Sequence, residues 1–456
     1  MKRLNKSMLN GPLLPNIISY TIPIILTGIL QLLFNSADMI IVGRYCGSIS
    51  LAAVSATGSI SALIVNLFIG LSVGAGVTVA HALGAQESEA AHRIVHTALP
   101  TAIICGIVLT FVGYFSAESL LIMMETPDTV IALSTTYMQI YFLGITFTLV
   151  YNFCAAILRA AGDTKSPLIF LAIAGALNVI LNVIFVTIFD MNVAGVALAT
   201  AISQGVSATL VVIALMRRKD ACKLELGKIH IYKTQLLKML RIGLPAGLQS
   251  SLFAISNVVI QSSINSFGDV AMSGHAAAGN PESFVYITMN SFSQTAVNFI
   301  GQNSGARQYP RVKKTLSICL ACVAVSGLVL SSIFLSLGQN ILKIYITDSE
   351  AAIEYGMIRM RYMLMPYFLC GMMEVSTGAL RGLGESFWPM VTSVLGICGL
   401  RVVWILTLFQ LPQFHSMEYL YVSYTVSYIV TLVINLIVFK FVFRKHLQLA
   451  PVPDTP

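Results

Sequence analysis

Three acidic side chains lie inside long apolar stretches of this sequence: Asp38, Glu282 and Glu374. A carboxylate placed in lipid is costly, so acids in membrane segments usually bind an ion, relay a proton or pair with a cationic ligand. Only one basic residue, Arg401, is predicted well inside such a stretch. We therefore expect the acids to carry the chemistry of the protein and Arg401 to be a candidate ion-pair partner.

Four neutral polar residues are predicted close to Asp38. At a helical rise of about 1.5 Å per residue, Asp38 lies about 8 Å below the outer end of its helix, and Asn182 and Thr200 lie about 10 Å below theirs. Asn178 lies one turn below Asn182, and Asn35 lies one turn below Asp38. Such a group of oxygens holds a proton or a cation, or it is a hydrogen-bonded contact that locks helix packing. For the neutral residues both interpretations stay open.

The composition indicates that lipid surrounds the chain. Of its 456 residues, 56% are hydrophobic and only 10% are charged, whereas soluble domains carry about 25% charged residues. The net charge of +8 forms no basic stripe interleaved with aromatic residues, so we expect no nucleic-acid partner. The lone Cys319-x-x-Cys322 pair lies in an apolar helix without a second pair. We interpret it as packing, and expect no metal and no cofactor.

Hydrophobic runs and loop signals predict an all-α membrane protein of twelve transmembrane helices. The predicted spans are 17–43, 51–82, 94–115, 130–160, 166–189, 193–216, 243–266, 271–302, 315–338, 355–381, 388–409 and 418–443.

The basic residues predict the orientation of these spans, because Lys and Arg concentrate on the cytoplasmic side. With an inner N-terminus, the outer side keeps only four basic residues, Arg44, Lys343, Arg359 and Arg361. Both termini are then cytoplasmic, and the protein is a multi-pass component of the inner membrane of a bacterium. We expect it to work as a monomer in the lipid bilayer.

The sequence repeats itself at an offset close to 222 residues. Leu158-Arg-Ala-Ala-Gly-Asp-Thr-Lys-Ser-Pro167 returns as Leu380-Arg-Gly-Leu-Gly-Glu-Ser-Phe-Trp-Pro389, and Pro23 returns as Pro245. The repeat predicts a six-helix lobe at 1–216, a charged cytoplasmic linker at 217–241 and a second six-helix lobe at 242–456. With six helices each, the lobes run in the same direction and are related by a pseudo-twofold axis along the membrane normal.

Several of these motifs resemble the MATE (multidrug and toxic compound extrusion) family, and its bacterial MepA-like branch in particular. The resemblance covers essentially the whole chain. It is carried by the Leu158–Pro167 motif and its repeat, by Ser36-Ala-Asp38, by Asn257-Val-Val-Ile-Gln-Ser-Ser-Ile-Asn-Ser-Phe-Gly268 and by Phe299-Ile-Gly-Gln-Asn-Ser-Gly-Ala306. It implies two lobes that open as a V and export organic cations while protons or sodium ions flow inward.

The resemblance also bears on the coupling ion. It implies that Asp38, Asn178, Asn182 and Thr200 match the cation-site positions of the family's N-terminal lobe. The family often has Asp where this chain has Asn182, and the loss of one carboxylate weakens a sodium site. We therefore favour protons over sodium.

The acids of the second lobe have three interpretations. Glu282 and Glu374 bind a cationic substrate, titrate as a second proton carrier, or form a buried pair with Arg401. The residue equivalent to Asp38 in the second repeat is Ile260, so the two halves have diverged.

Together these observations predict a secondary active multidrug efflux antiporter, not an enzyme. It would export cationic amphiphilic compounds in exchange for protons, or sodium, by alternating access. One alternative is a lipid-linked saccharide flippase of similar build, which would need a more basic cavity for its pyrophosphate. A remote alternative is an intramembrane enzyme, but the sequence lacks H-E-x-x-H and D-D-x-x-D motifs.

Overall fold

The computed structural model of the chain describes residues 8–124, 126–347 and 349–448, apart from the side chains of residues 59, 60, 62 and 63. Within these ranges the chain is largely helical and has no strand. Residues 1–7 and 449–456, which include both termini predicted to be cytoplasmic, lie outside this description.

The first half of the chain forms six long helices: α1 (Leu13–Ile41), α2 (Gly47–Gly84), α3 (Ser88–Met123), α4 (Asp128–Ala160), α5 (Lys165–Thr187) and α6 (Asn192–Met216). The second half forms α7 (Lys233–Asn265), α8 (Asp269–Gly305), α9 (Tyr309–Ser336), the short α10 (Gly338–Tyr345), α11 (Glu350–Leu364), α12 (Tyr367–Gly382), α13 (Phe387–Ser393), α14 (Leu400–Leu406) and α15 (Met417–Gln448). Two π-helical turns, Val42–Cys46 and Val394–Gly399, join α1 to α2 and α13 to α14.

The described helices account for all twelve predicted spans. Ten helical stretches are long and apolar enough to cross a membrane, and the pair α11–α12, bent by 44°, makes an eleventh. The remaining span, 271–302, coincides with α8, which has 37 residues but is rich in buried Ser, Asn and Gln. The fold is therefore an all-α membrane protein.

Three details differ from the predicted elements. A loop was expected at 44–50, but the chain passes from α1 to α2 through the π-helical turn. The single span 355–381 is broken between α11 and α12, just before Tyr367. Residues 233–241, assigned to the linker because they are charged, are the first turns of α7. Charged residues interrupt a hydrophobic pattern without ending the helix that carries them.

The repeat is present in the backbone as well as in the sequence. Gly162 (φ +88°) and Gly384 (φ +91°) end α4 and α12 in the left-handed region, where glycine has no Cβ to clash. Gln86 (φ +60°) and Arg307 (φ +55°) adopt the same unusual conformation after α2 and α8. Each pair is separated by the repeat offset, so the Leu158–Pro167 motif and its copy shape equivalent turns.

The helices divide into two compact units. The first is Ile22–Ser251, and the second combines the described residues of 7–21 with those from Leu252 onward. In the first unit α4 packs against α2, α3 and α6; in the second α8 and α12 pack together. The sequence analysis assigned all of α1 to the first lobe and residues 242–265 of α7 to the second. Instead, the start of α7 belongs to the first unit and the start of α1 to the second.

Side chains of the first unit bind the backbone just before α7, and side chains of the second unit bind the backbone just before α1. In the first unit, Nε2 of the buried His96 lies 3.0 Å from the backbone N–H of Glu225 that donates to it. Thr97 accepts a hydrogen bond from the N–H of Tyr232 at 3.2 Å. We call residues 217–232 the linker strap.

In the second unit, the equivalent segment is residues 8–12, which we call the N-terminal strap. Asn303 Nδ2 donates to the carbonyl oxygen of Met8 at 3.2 Å. Arg311 donates from Nη1 to the carbonyl of Gly11 at 3.0 Å and from Nη2 to that of Met8 at 3.2 Å. Both straps are thus fixed through their main-chain atoms.

Candidate functional site

A chain of hydrogen-bonded side chains joins α1, α5 and α6 in the first unit. Asn182 Nδ2 donates to Asp38 Oδ1 and also to Asn178 Oδ1, the latter at 3.3 Å. Asn178 Nδ2 donates in turn to Thr200 Oγ1 at 3.2 Å. Asn178 and Asn182 are four residues apart on α5 and therefore share a face of that helix. The structure thus brings together four of the five predicted residues.

The members of this chain differ in burial. Asn182 is fully buried and Asn178 is 6% exposed, while Asp38 is half-buried. The fifth predicted residue, Asn35, is exposed on α1, and no hydrogen bond joins it to the chain in the described part of the protein. A residue that the sequence did not single out, Tyr137 of α4, lies near enough to interact electrostatically with Asp38.

This hydrogen-bonded chain contains one carboxylate and three neutral side chains. Among these four side chains, Asp38 is the one that can change its charge, because amides and hydroxyls do not titrate near neutral pH. Asn178 Oδ1 and Thr200 Oγ1 already accept hydrogen bonds within the chain. Of the oxygens in these four side chains, Asn182 Oδ1 is buried and has no hydrogen-bond partner among the described residues.

In the second unit, Glu282 of α8 forms an ion pair with Arg359 of α11. Glu282 Oε2 accepts hydrogen bonds from Arg359 Nε at 3.1 Å and from Nη2 at 2.7 Å. The side chains of Arg359 and Glu282 are only 14% and 15% exposed. The sequence analysis counted Arg359 among the basic residues of the outer side and did not predict that its side chain is buried in the unit. The partner of Glu282 is therefore Arg359 and not Arg401.

Two further residues extend this pair. Arg359 Nη1 donates to the backbone oxygen of His275 at 2.6 Å. The ring nitrogen Nδ1 of His275 is 2.8 Å from the hydroxyl of Tyr421 on α15. The network therefore connects α8, α11 and α15. Sequence reasoning missed His275 and Tyr421, since a single histidine or tyrosine in an apolar helix carries no distinguishing pattern.

The other two predicted residues of the second unit are buried apart from this pair. Glu374 of α12 is 8% exposed, and its backbone oxygen accepts a hydrogen bond from Ser293 at 2.8 Å. Arg401 of α14 is 4% exposed. Its Nε donates to Ser427 Oγ at 2.9 Å, and its guanidinium carbon lies 3.9 Å from the centre of the Tyr424 ring. Arg401 forms no ion pair within the described residues.

Comparison with protein families gives the same repeat. A family model described as MatE matches the chain twice, at residues 23–184 and 245–407. The two matches begin at the paired prolines Pro23 and Pro245. Together they cover well over half of the chain.

Known proteins resemble the chain over most of its length. It is 27% identical over 438 residues to the probable multidrug resistance protein YoeA of Bacillus subtilis, covering 93% of each chain. It is 22% identical over 385 residues to the multidrug export protein MepA of Staphylococcus aureus, covering 84% of this chain and 85% of that one.

Solved structures share the fold. The outward-facing conformation of a multidrug resistance MATE family transporter of the MOP superfamily matches with a TM-score of 0.87 and 19% identity, covering 99% of both chains. The bent form of the Vibrio cholerae MATE transporter VcmN matches with a TM-score of 0.87 and 20% identity, covering 96% of this chain and 98% of that one.

Proposed function

This chain belongs to the MATE (multidrug and toxic compound extrusion) family of membrane transporters, and on that premise we propose that it is a secondary active multidrug efflux antiporter. It exports cationic amphiphilic compounds in exchange for protons by alternating access. The names of the relatives, multidrug resistance and multidrug export proteins, support the substrate class. The members of this family are transporters and not enzymes.

The observation that carries the choice of ion is the Asp38 chain. Its single carboxylate receives a hydrogen bond from Asn182, and the remaining members are neutral. Loading and release of one proton at Asp38 changes the charge of the group and therefore the hydrogen bonds that hold α1 to α5. Such a change is a means to couple an ion to helix movement. A sodium ion would need Asn178 Oδ1 and Thr200 Oγ1, which already accept hydrogen bonds from neighbouring side chains.

The driving force is sufficient for a monovalent cation. Moving one positive charge outward against about 100 mV costs roughly 2.3 kcal/mol, and one proton moving inward offsets it. A difference of one pH unit adds about 1.4 kcal/mol. No nucleotide or cofactor is needed. We propose that the protein acts as a monomer in the bacterial inner membrane, with both termini in the cytoplasm.

The lipid-linked saccharide flippase is the weaker candidate. Arg359 adds a second buried base to the one predicted from the sequence, but Glu282 neutralises it. Arg401 carries a single charge, whereas a pyrophosphate carries several. The four named relatives and structures are multidrug or MATE transporters, which supports export of drugs instead.

Asp38→Asn tests this function. The variant keeps the size of the side chain but removes the group that titrates, so coupled efflux should fall to background while the protein still inserts and folds. Ethidium efflux is measured in proteoliposomes under separately imposed pH and sodium gradients. The control is Glu89→Gln, which changes an exposed acid paired with Arg93 on α3 and should export normally.

Two results would contradict the proposal. A well-folded Asp38→Asn variant that exports ethidium at the wild-type rate would remove Asp38 from the coupling. Wild-type efflux that follows the sodium gradient, and is indifferent to a protonophore once that gradient is held, would replace the proton by sodium.

A further inference from the structure

The second unit contains a buried cation whose hydrogen-bonding capacity is only partly used. Arg401 is 4% exposed, and its Nη2 has no hydrogen-bond partner within the described residues. A guanidinium has five N–H donors, and it stays charged when it is buried. Leaving such a donor unpaired in a protein interior is costly. Because this unpaired donor is unfavourable, we expect Arg401 to gain a hydrogen-bond partner in another state of the protein.

The groups that surround Arg401 supply no negative charge. Its Nε is used by the hydroxyl of Ser427. Its guanidinium carbon is 3.9 Å from the centre of the Tyr424 ring and 5.2 Å from that of Tyr428. Stacking on aromatic faces stabilises a cation, but it leaves the in-plane N–H groups free to point at an acceptor. Arg401 is therefore oriented by its neighbours without being neutralised by them.

Other donors without partners lie close to Arg401 along the chain. Trp404 Nε1, one turn further along α14, and Thr431 Oγ1, one turn beyond Ser427 on α15, are both buried without a hydrogen-bond partner among the described residues. Thr431 also packs against the π-helical turn before α14, where a Cβ on Gly396 would overlap its hydroxyl. Indole and guanidinium groups donate but do not accept. Trp404 Nε1 is thus a second buried donor near Arg401 without a partner among the described residues.

The acids of the unit do not fill this gap. Glu282 is held by Arg359 through two hydrogen bonds. Glu374 lies on α12 near Tyr286, with which it interacts electrostatically. No salt bridge reaches Arg401 from any described residue. The missing acceptor is therefore expected to come from outside the chain.

We propose that Arg401 is the residue that binds the carboxylate of transported amphiphiles that carry both a basic and an acidic group. The planar fork of arginine matches a carboxylate through two parallel N–H···O bonds. Tyr424 and Tyr428 provide an apolar wall for the body of the compound. This inference rests on the proposed transport function, and it adds an anion-binding residue to a site otherwise expected to recognise cations.

The test compares rhodamine B, which carries a free carboxylate, with its ethyl ester, in which that carboxylate is masked. Binding to the purified full chain is measured by fluorescence polarisation for wild type, Arg401→Met and Arg401→Lys. Arg401→Met should weaken binding of rhodamine B by roughly tenfold or more, the size of a lost charge-assisted hydrogen bond, and leave the ester within about twofold. Arg401→Lys should be intermediate, because it keeps the charge but not the fork. Arg444→Met, an exposed base on α15, should bind both dyes like wild type.

Thermal unfolding separates binding from a structural role. Removing an unpaired buried cation should leave the unfolding temperature of Arg401→Met unchanged or higher. A lowered unfolding temperature with equal loss of both dyes would show that Arg401 only packs, and it would overturn the inference. Equal affinity of all variants for rhodamine B would overturn it as well. The assay does not require transport, so a protein that binds rhodamine B through Arg401 but exports neither dye would contradict the proposed function and not this inference.

Discussion

The contact between Asp38 and Asn182 sets what the first unit can bind. Asn182 donates to the carboxylate, and its own Oδ1 is buried without a partner among the described residues. Replacing this amide by a second carboxylate would remove the donor and bring two like charges together. Such a pair either shares one proton or takes up a cation.

We predict that Asn182→Asp makes efflux respond to sodium. The variant offers sodium two carboxylates where the wild type offers one, so a sodium gradient imposed at constant pH should drive ethidium efflux from proteoliposomes. The response should disappear in Asn182→Asp combined with Asp38→Asn. If sodium leaves the rate of the single variant unchanged while its pH response is intact, the added charge is not part of an ion site.

A second residue pair separates stability from transport. Breaking a buried ion pair at one end leaves the other charge unpaired, which destabilises a protein by about 3–5 kcal/mol. We therefore predict that Glu282→Gln lowers the unfolding temperature in detergent markedly, and that the double variant Glu282→Gln/Arg359→Met recovers much of the loss. An additive loss in the double variant would show that the two side chains do not act as a pair.

The double variant also reports on function. If it is stable and exports drugs, then Glu282 holds α8 to α11 and takes no part in transport. If it is stable but inactive, Glu282 acts on substrate or protons directly.

At this scale, sequence reasoning finds residues by their depth but not by their direction. Counting from helix ends predicted Asp38, Asn182 and Thr200 at one level. In the structure Asn182 bonds Asp38 directly and is joined to Thr200 through Asn178. The same counting included Asn35, which is exposed, because depth does not specify which side of a helix a residue faces. Arg359 was placed on the outer side, since an arginine near a helix end usually reaches towards water. Its acid partner is 77 positions away, and no local pattern connects them.

At the scale of the helices, α2 and α7 of the first unit pack closely against each other at glycine residues. A Cβ on Gly243 would lie 2.6 Å from Leu71 Cα, and a Cβ on Gly247 would lie 2.8 Å from the carbonyl carbon of Leu67. Small residues let membrane helices approach at the backbone, where van der Waals contact replaces the hydrophobic effect.

We predict that Gly247→Ala lowers stability by about 1–3 kcal/mol, the usual range for added volume at a packed contact. The measurement is thermal unfolding of the purified protein. The matched control is Gly58→Ala on α2, where a Cβ would meet nothing within 4 Å and should be neutral or stabilising by up to about 1 kcal/mol. Similar stabilities for the two variants would mean that the close contact between α2 and α7 does not contribute to the stability of the protein.

Most of the helices could be predicted from hydrophobic runs, because lipid requires long apolar segments whose backbone groups bond internally. The exceptions follow from the same physics. A π-helical turn keeps its hydrogen bonds, so nothing in the composition marks Val42–Cys46 or Val394–Gly399 as irregular. The start of α7 is charged because it precedes the apolar part of the helix, and hydrophobicity alone read it as linker.

For the whole molecule, the unequal distribution of basic residues predicts its orientation. We expect a cysteine placed at the exposed Lys219 in the linker strap to react only from the cytoplasmic side, and one at the exposed Lys343 on α10 only from outside. A membrane-impermeant maleimide is applied to intact cells and to inverted vesicles, with the native cysteines replaced. Labelling of the Lys219→Cys variant in intact cells would show that the orientation is opposite to the predicted one.

The exchange of helix starts between the two units has a consequence for biosynthesis. A ribosome makes residues 8–21 before any other part of the second unit, and residues 233–251 after every other part of the first. Neither unit can therefore reach its final packing while only half of the chain has been translated. The earliest segment must wait for Asn303 and Arg311 to emerge before the N-terminal strap finds its hydrogen bonds. Translation of each half as a separate polypeptide would therefore leave both products short of a helix start.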